Sequence, residues 1–428
     1  MSDALHYLSA LDAAARLQRR ELTADRYLHA LLERIDAREP DVRAFAYLAR
    51  EQALARAKTL DAGAVSGPLH GLPIGIKDIF DTYDMPAQGG SKVYTGHQPT
   101  IDAASVALAR HAGAIILGKT VTTELATFPP NETRNPHNLA FSPGGSSSGS
   151  AAGVADFMMP LATGTQTLGS IIRPAAYCGV IGYKPTYNLI PKKGFWNASD
   201  SLDTVGAFAR NVPDVAFFVS ALLGFDALRV PATVSAPKIG LCRTYQWERA
   251  TPEMQQALLD AGQRLAAAGA KVTEVTLPER FAGLLDAQVA VSNFETGRSF
   301  ADEVFRHGDK MRPPLYERCL KGYEVDPALY QRSIALGREC RQMMPMALGD
   351  CDVLLAPAGT GEAPKGLDWT GDPVMNQVWT FLHGPLVSLP AARGPNGLPL
   401  GLQAIGRLDD DARTLACADW IHRHLAYA

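Results

Sequence analysis

Two serines and a lysine stand in glycine-rich surroundings, and their residue types suit nucleophilic catalysis. Ser170 ends the run Gly164-Thr-Gln-Thr-Leu-Gly-Ser170, Ser146 lies upstream in Gly144-Gly-Ser-Ser-Ser-Gly-Ser150, and Lys77 lies in Gly71-Leu-Pro-Ile-Gly-Ile-Lys-Asp78. A serine hydroxyl is a weak nucleophile until a neighbouring base takes its proton, and a lysine whose pKa is lowered by burial can be that base. The three residues therefore predict a nucleophile, a relay and a base, with no histidine or aspartate required.

The order of these motifs resembles the amidase signature family. The similarity begins at Leu72-Pro-Ile, continues through both serine loops to Gly179-Val-Ile-Gly-Tyr-Lys-Pro185, and ends at Gly397-Leu-Pro-Leu-Gly-Leu-Gln403, which is similar to the family's closing motif. It spans nearly the whole chain, although it is dense only between residues 71 and 185. The resemblance implies an α/β fold in which a large mixed β-sheet is covered by helices.

The same resemblance implies a role for each of the three residues. Ser170 would attack the carbonyl carbon of an amide and form an acyl-enzyme that water later cleaves. Ser146 would relay the proton, and Lys77 would serve as general base and then general acid. The family pattern further implies a cis peptide bond between Gly145 and Ser146, and a reaction that uses no cofactor.

The backbone N–H groups of Thr167, Leu168, Gly169 and Ser170 are predicted to form an oxyanion hole. Gly169 permits a tight backbone path that aims successive donors inward, where they can stabilise a developing negative oxygen. Leu168 stands where the family often has glycine, which would narrow the acyl pocket.

Arg173 is the main candidate for substrate recognition. Many relatives carry an arginine two residues after the nucleophile, but here Ile172 fills that place. Gln166 also stands where many relatives have aspartate. These two differences resemble a shorter branch of the family that includes malonamidase-like enzymes. The equivalent arginine of that branch binds a substrate carboxylate, which suits the guanidinium group. Because Arg173 precedes Pro174, we expect extended backbone geometry there. The alternative is an ion pair that only holds the loop.

Three more residues complete the predicted binding site, namely Ser147, Gln166 and Trp379. Ser147 is expected to bond backbone near the oxyanion hole, with a simple turn residue as the alternative. Trp379 is expected either to line the acyl pocket or to pack in the core, and the same two alternatives hold for Trp369. The ten histidines form no HExxH or other ligand spacing, so no metal site is predicted.

Composition favours a globular enzyme over a nucleic-acid-binding or membrane protein. The 428 residues are 46% hydrophobic and carry a formal net charge of −3, and no run of Lys or Arg provides a surface for a phosphate backbone. The most apolar long stretch, residues 204–225, is broken by Arg210, Pro213 and Asp214. Six scattered cysteines argue against a disulfide framework. The first residues do not resemble a secretory signal peptide, so we expect a cytoplasmic protein.

The pattern of elements predicts one domain over residues 1–428. Residues 1–62 are predicted to be helical, with Thr23 as the cap of one helix. Short apolar runs such as Ala114-Ile-Ile-Leu117 then alternate with helix-like stretches, which indicates an α/β core. Residues 252–346 are rich in helical periodicity, and we expect them to be an excursion that covers the substrate.

Several other functions remain open at this stage. The motif Gly113-Ala-Ile-Ile-Leu-Gly-Lys-Thr120 matches a phosphate-binding loop, which would give a nucleotide-binding protein, but its middle residues are typical of a strand. Ser147 also occupies the serine position of a GxSxG elbow, although a turn rather than a strand precedes it. Within the family, a glutaminase subunit of an amidotransferase that works with a partner is the rival of a hydrolase acting on a small amide. A catalytically silent binding protein on the same fold is a further alternative. The predicted assembly is a homodimer.

Overall fold

The computed structural model describes residues 5–425, and these residues form an eleven-stranded mixed β-sheet. The strands in chain order are β1 (Phe45–Leu48), β2 (Pro73–Lys77), β3 (Ile115–Thr120), β4 (Leu161–Gln166), β5 (Ile181–Lys184), β6 (Thr204–Ala209), β7 (Lys238–Cys242), β8 (Lys271–Val275), β9 (Val353–Pro357), β10 (Leu386–Arg393) and β11 (Pro399–Ile405). Across the sheet they follow the order β1-β3-β2-β4-β6-β5-β10-β11-β9-β7-β8. The predicted α/β fold with a large mixed sheet is confirmed.

The sheet contains two parallel regions. Strand β2 is parallel to both β3 and β4, and β7 is parallel to both β8 and β9, whereas the other neighbours are antiparallel. All residues of β2, β3 and β4 are buried. Strands covered on both faces exclude water, so a polar side chain that projects from them depends on protein groups for hydrogen bonds.

Fourteen α-helices accompany the sheet in the described part of the chain. They are α1 (Ala10–Gln18), α2 (Ala24–Val42), α3 (Arg50–Ala62), α4 (Ala104–His111), α5 (Ser148–Ala155), α6 (Ile172–Cys178), α7 (Val212–Leu223), α8 (Pro252–Ala267), α9 (Leu284–Ser299), α10 (Ala301–His307), α11 (Pro313–Glu324), α12 (Pro327–Leu348), α13 (Val374–Phe381) and α14 (Asp411–Leu425). The apolar stretch 204–225 is the buried strand β6 followed by α7. Asp214 of α7 accepts the backbone N–H groups of Ala10 and Leu11 at 2.9 and 3.0 Å, which joins α1 to this helix.

Residues 5–62, the described part of the predicted N-terminal helical segment, form helices and one strand. Thr23 caps α2 as predicted, since its side chain accepts the backbone N–H of Arg26 at 3.2 Å. The strand is β1, which pairs antiparallel with β3 at the end of the sheet order. This strand is only four residues long, so its apolar alternation was too short to distinguish it from a helical segment.

The segment 252–346 is mostly helical and contains one strand. Helices α9, α10, α11 and most of α12 lie in it, but α8 is followed by β8, which pairs with β7. A separate apolar cluster joins the helical part to two loops of the sheet, because Phe300, Leu315 and Cys319 pack with Leu125 and Ala198. This packing holds α11 against Leu125 and Ala198. Gln288 of α9 donates to the carbonyl of Thr167 at 3.3 Å, which joins α9 to the loop that carries Ser170.

The nucleotide-binding interpretation of residues 113–120 is wrong. Residues 115–120 are the buried strand β3, so their N–H groups belong to the sheet and cannot converge on a phosphate. Lys119 is fully buried; its Nζ donates to the carbonyl of Phe80 at 2.7 Å and lies 3.4 Å from Asp78 Oδ1. The lysine of the motif therefore supports the fold.

Several features of residues 5–425 bear on the other predictions. No helix in this range is long and apolar enough to cross a membrane. Over the same range, no three or more His, Cys, Asp and Glu side chains cluster in a way that could hold a metal ion. The six cysteines are buried free thiols.

Candidate active site

Lys77 is the last residue of β2, and its side chain is completely buried. Its Nζ lies 2.7 Å from Ser146 Oγ and 2.8 Å from Thr165 Oγ1. Its backbone N–H donates to Thr163 Oγ1 at 3.0 Å. Thr163 and Thr165 alternate on β4, so they present their hydroxyls to the same side of the neighbouring strand. The amine is thus surrounded by neutral hydroxyl groups.

The environment of Lys77 favours the neutral amine. Burial lowers the pKa of Lys77 to about 7, although the negative charge of Asp203 opposes part of this shift. Asp78, the adjacent residue, contributes no such opposition, because its carboxylate faces Lys119 at 3.4 Å. Successive side chains of an extended strand point to opposite faces, which agrees with this arrangement. A substantial fraction of Lys77 is therefore able to accept a proton near neutral pH.

The loop before α5 places Ser146 beside the lysine. The peptide bond between Gly145 and Ser146 is cis, as the family pattern implies, and Gly144 has a φ of +81°. Ser147 at the start of α5 donates its backbone N–H to the carbonyl of Ser170 at 3.4 Å. This bond joins the two serine loops, so the tertiary structure brings Ser146 and Ser170 into one site.

Ser170 lies in the connection between β4 and α6. Gln166 holds this connection, because its Oε1 accepts the backbone N–H groups of Ile171 and Ile172, each at 2.9 Å. Its Nε2 donates to Thr380 Oγ1 at 2.9 Å. Gln166 is fully buried and does not line the cavity described below, so its place in the structure is that of a loop support.

The predicted oxyanion residues have free donors. Among residues 5–425, no acceptor is found for the backbone N–H groups of Leu168, Gly169 and Ser170. A Cβ on residue 169 would lie 2.4 Å from Asn376 Oδ1, so only glycine fits this backbone path. Thr167 Oγ1 donates to Asp203, whose other oxygen accepts the N–H groups of Ala198 and Ser199.

A cavity of about 310 Å³ opens in front of Ser170. Most of its wall is apolar, and Ser170, Thr167 and Leu168 contribute one side of it. The remaining wall comes from the segment 126–130, from α9 and α11, and from residues 368–373, with the side chains Phe128, Thr296, Pro314, Arg318, Asp368 and Trp369 among them. The volume suits a small molecule. Ser170, which carries a hydroxyl group, is part of the cavity wall.

Arg173 lines this cavity, but its backbone does not have the extended conformation that was expected before Pro174. It lies in α6 rather than in extended geometry, because Pro174 falls in the first turn of the helix, where a missing N–H is tolerated. One Nη donates to the carbonyl of Gly145 at 2.8 Å and to Thr370 Oγ1 at 3.2 Å, while its buried Nε has no partner. No carboxylate of the described residues forms an ion pair with Arg173, so the loop-holding ion pair is not found.

Two other sequence-predicted binding residues lie outside the cavity. Ser147 is buried, with its hydroxyl 3.5 Å from the carbonyl of Thr165, which contradicts its use as an elbow nucleophile. Trp379 is fully buried in α13, so of its two expected positions it takes the core. The cavity is lined instead by Trp369, which is 58% exposed.

Three residues of the site were missed from the sequence. Thr165 lies inside the predicted motif and follows Thr163 at strand spacing, so an alternation argument could have found it. Asp203 precedes β6 and offers no local signal, and the same holds for Arg318 on α11. Both lie far along the chain from Ser170, and only packing brings them near it.

Comparisons with known proteins agree with this geometry. Residues 26–415 match the family model Amidase. The A subunit of the glutamyl-tRNA(Gln) amidotransferase of Roseiflexus sp. (strain RS-1) is 34% identical over 98% of this chain and 96% of its own length, and that of Acidothermus cellulolyticus is 39% identical over 96% and 93%. A solved amidase has a TM-score of 0.89 at 29% identity, covering 97% of this chain and 99% of the other, and a bacterial aryl acylamidase reaches 0.86 at 25%, covering 98% and 96%.

The chain belongs to the amidase signature family. It is an amide-cleaving enzyme of the hydrolase class.

Proposed function

We propose that this enzyme hydrolyses a small carboxamide, with Ser170 as nucleophile, Ser146 as proton relay and Lys77 as base and acid. The observation that carries the proposal is the 2.7 Å distance between Lys77 Nζ and Ser146 Oγ in a fully buried setting that lowers the pKa of the lysine to about 7. A neutral amine beside a hydroxyl provides the base that a serine nucleophile needs.

The reaction begins when Ser170 Oγ attacks the carboxamide carbon and its proton passes through Ser146 to Lys77. The negative oxygen that forms is stabilised by the free backbone N–H groups of residues 168–170. Protonated Lys77 then returns the proton through Ser146 to the departing nitrogen, the C–N bond breaks, and ammonia or an amine leaves. Water attacks the acyl-enzyme under the same base, which releases a carboxylic acid and restores Ser170.

Arg173 is proposed to bind a carboxylate of the substrate. Its guanidinium lines the cavity, lacks a carboxylate partner among the described residues and keeps a buried Nε without a hydrogen bond. Gly145 and Thr370 hold one nitrogen and so fix the orientation of the planar group. A small acidic amide would supply the missing acceptor and counter-charge.

A serine-reactive fluorophosphonate tests the chemistry directly. We expect it to label the protein at Ser170, and mass spectrometry of the digested adduct identifies the modified residue. A screen of small amides with and without a carboxylate, with ammonia release as the readout, then tests the substrate. Labelling at another serine would contradict the proposed nucleophile.

The second candidate is the glutaminase subunit of an amidotransferase. The curated relatives support it more directly than they support a stand-alone hydrolase, because both of those described above are named as the A subunit of a glutamyl-tRNA(Gln) amidotransferase and align over more than 90% of both chains. Both candidates share the same carboxamide chemistry, and they differ in the fate of ammonia. A copurifying subunit on which glutamine hydrolysis depends would favour this candidate, while full activity of the isolated chain on a small amide would favour the first. Light scattering of the same sample tests the predicted homodimer.

A further inference from the structure

Residues 167–170, which we call the oxyanion loop, carry the donors of the predicted oxyanion hole. The peptide units of this loop are trans, so the C=O and N–H of each unit lie in one plane and point in opposite directions. A group that binds a carbonyl of the loop therefore also sets the direction of the N–H that follows it. The donors to these carbonyls decide where the free N–H groups point.

Side chains of two helices bind the first two carbonyls of the oxyanion loop. Gln288 Nε2, on α9, donates to the carbonyl of Thr167 at 3.3 Å. Thr380 Oγ1, on α13, donates to the carbonyl of Leu168 at 2.8 Å. The N–H groups of the same two peptide units belong to Leu168 and Gly169, and no acceptor for them is found among residues 5–425. These are two of the donors that would stabilise a negative oxygen.

A hydrogen bond from Gln166 makes Thr380 a donor. Gln166 Nε2 donates to Thr380 Oγ1 at 2.9 Å, so the hydroxyl proton is left for a carbonyl. Two carbonyls lie within reach, that of Leu168 at 2.8 Å and that of Asn376 at 3.1 Å. Asn376 is one turn earlier in the same helix, whereas the shorter bond joins α13 to the oxyanion loop.

Gln288 is oriented in the same way by a neighbour. Gln377 Nε2 donates to Gln288 Oε1 at 2.8 Å, which leaves the amide nitrogen of Gln288 to face Thr167. Gln288 and Thr380 are both buried, and neither lines the cavity in front of Ser170. Both bind the carbonyl side of the oxyanion loop, so they act on it without contact with a substrate in that cavity.

We propose that Thr380 and Gln288 are positioning residues, which bind the carbonyls of the oxyanion loop so that the N–H groups of Leu168 and Gly169 point at the oxygen that becomes negative. This inference rests on the proposed amide hydrolysis at Ser170. Backbone donors that are already aligned need no rearrangement when charge develops in the transition state, and this alignment is what makes them effective.

Thr380→Val removes the donor and keeps the size of the side chain. We expect it to lower kcat for succinamate by about 10- to 100-fold, because a misplacement of about 1 Å can cost that much. KM should change less than about threefold, since the lost alignment matters only in the transition state. Thr380→Ser keeps the hydroxyl and should retain most of the rate. An unchanged kcat in Thr380→Val, or equal losses in the two variants, would overturn the proposal.

The pH profile separates the oxyanion loop from the base. The acid limb of kcat/KM should keep its midpoint in Thr380→Val, because the hydrogen bonds of the Lys77 amine go to Ser146 and Thr165. A shifted midpoint would mean that Thr380 acts through Lys77, contrary to the proposal. Gln288→Met removes the other donor and should lower kcat about tenfold with the same midpoint, the worth of one hydrogen bond. An unchanged kcat in this variant would exclude Gln288 as a positioning residue.

Thr414→Val is the matched control for the loss of a buried hydroxyl. Thr414 lies in α14, is as buried as Thr380, and also donates to the carbonyl four residues earlier, that of Asp410 at 2.7 Å. Thermal unfolding should show a similar destabilisation of both valine variants, whereas kcat of Thr414→Val should stay within about twofold of the unchanged protein. Equal losses of kcat in the two would assign the effect to destabilisation and overturn the proposal.

The rate of labelling by a fluorophosphonate keeps the inference separate from amide hydrolysis. Ser170 Oγ bonds to phosphorus, its proton passes to Lys77, negative charge develops on the phosphoryl oxygen, and fluoride leaves. We expect the second-order rate constant of labelling to fall about tenfold or more in Thr380→Val and to change little in Thr414→Val.

The outcomes of the labelling experiment are distinct. If Thr380→Val is labelled as fast as the unchanged protein while succinamate is cleaved at Ser170, the positioning proposal fails alone. If no amide is cleaved and labelling of Ser170 still depends on Thr380, the proposed reaction fails instead. Absence of labelling at Ser170 in the unchanged protein would overturn both.

Discussion

Lys77 Nζ and Thr165 Oγ1 lie 2.8 Å apart on neighbouring strands, β2 and β4. Together with Ser146, this threonine surrounds the buried amine with hydroxyl groups. Neutral partners satisfy the hydrogen bonds of the lysine without adding a negative charge that would hold its proton. The arrangement favours the neutral amine that the proposed general base requires.

The first prediction concerns the proposed nucleophile. Ser170→Ala should reduce turnover by several orders of magnitude, because no other hydroxyl takes its place, while the free energy of unfolding changes by less than about 1 kcal/mol. Steady-state rates and thermal unfolding of the two proteins provide the comparison. Normal turnover by the variant would contradict the assignment.

The second prediction is the pH dependence set by Lys77. Since burial lowers the pKa of Lys77 to about 7, the lysine gains a proton below that pH and can no longer accept one from Ser146. We expect kcat/KM to fall towards acid with a midpoint near this value and to level off on the alkaline side. A substrate that does not titrate in the range is required, and a flat profile across it would exclude a lysine base.

The third prediction uses Asp203 to move that midpoint. Its negative charge raises the pKa of Lys77 against the effect of burial, so Asp203→Asn should shift the acid limb of kcat/KM to lower pH. Asp226→Asn is the control, because Asp226 is an exposed residue paired with Arg229. A shift of the limb to higher pH, or an equal shift in both variants, would show that Asp203 does not act on Lys77 by its charge.

The fourth prediction tests the path of the oxyanion loop. Gly169→Ala should lower kcat by up to about 100-fold, the usual effect of displacing positioned groups by about 1 Å, since the new Cβ would meet Asn376 Oδ1 at 2.4 Å. Adding Asn376→Gly removes the obstacle and should restore part of the rate. Asn376→Gly alone serves as the reference, and failure of the double variant to recover would place the defect elsewhere.

The fifth prediction concerns the carboxylate preference at Arg173. Arg173→Lys should reduce the ratio of kcat/KM for succinamate over the neutral butyramide by about 10-fold or more, because an ammonium group cannot reproduce the planar fork of donors. Rates for both substrates and both enzymes are measured side by side. Equal losses on the two substrates would mean that Arg173 is structural, through its bonds to Gly145 and Thr370.

The sequence alone determined the family and the fold class, and it singled out Ser170, Ser146 and Lys77, whose catalytic roles stay predictions. These residues could be recognised because each lies in a short motif whose glycines and strand residues fix local backbone geometry. Ile74 and Ile76, apolar residues of the same motif as Lys77, are buried with it, and burial is the main cause of the lowered pKa of Lys77. Local chemistry of this kind depends on near neighbours along the chain, so the sequence contains it.

Only the tertiary structure decided which side chains form the cavity. Trp369 lines it and Trp379 packs in the core, although both are aromatic residues of the same stretch of chain. Gln166 supports a loop, and Arg318 reaches the cavity from a helix that the sequence identified only as part of a covering segment. Such positions depend on how distant helices pack over the sheet. This packing results from many weak contacts between residues far apart in the chain, so the sequence around one residue does not indicate it.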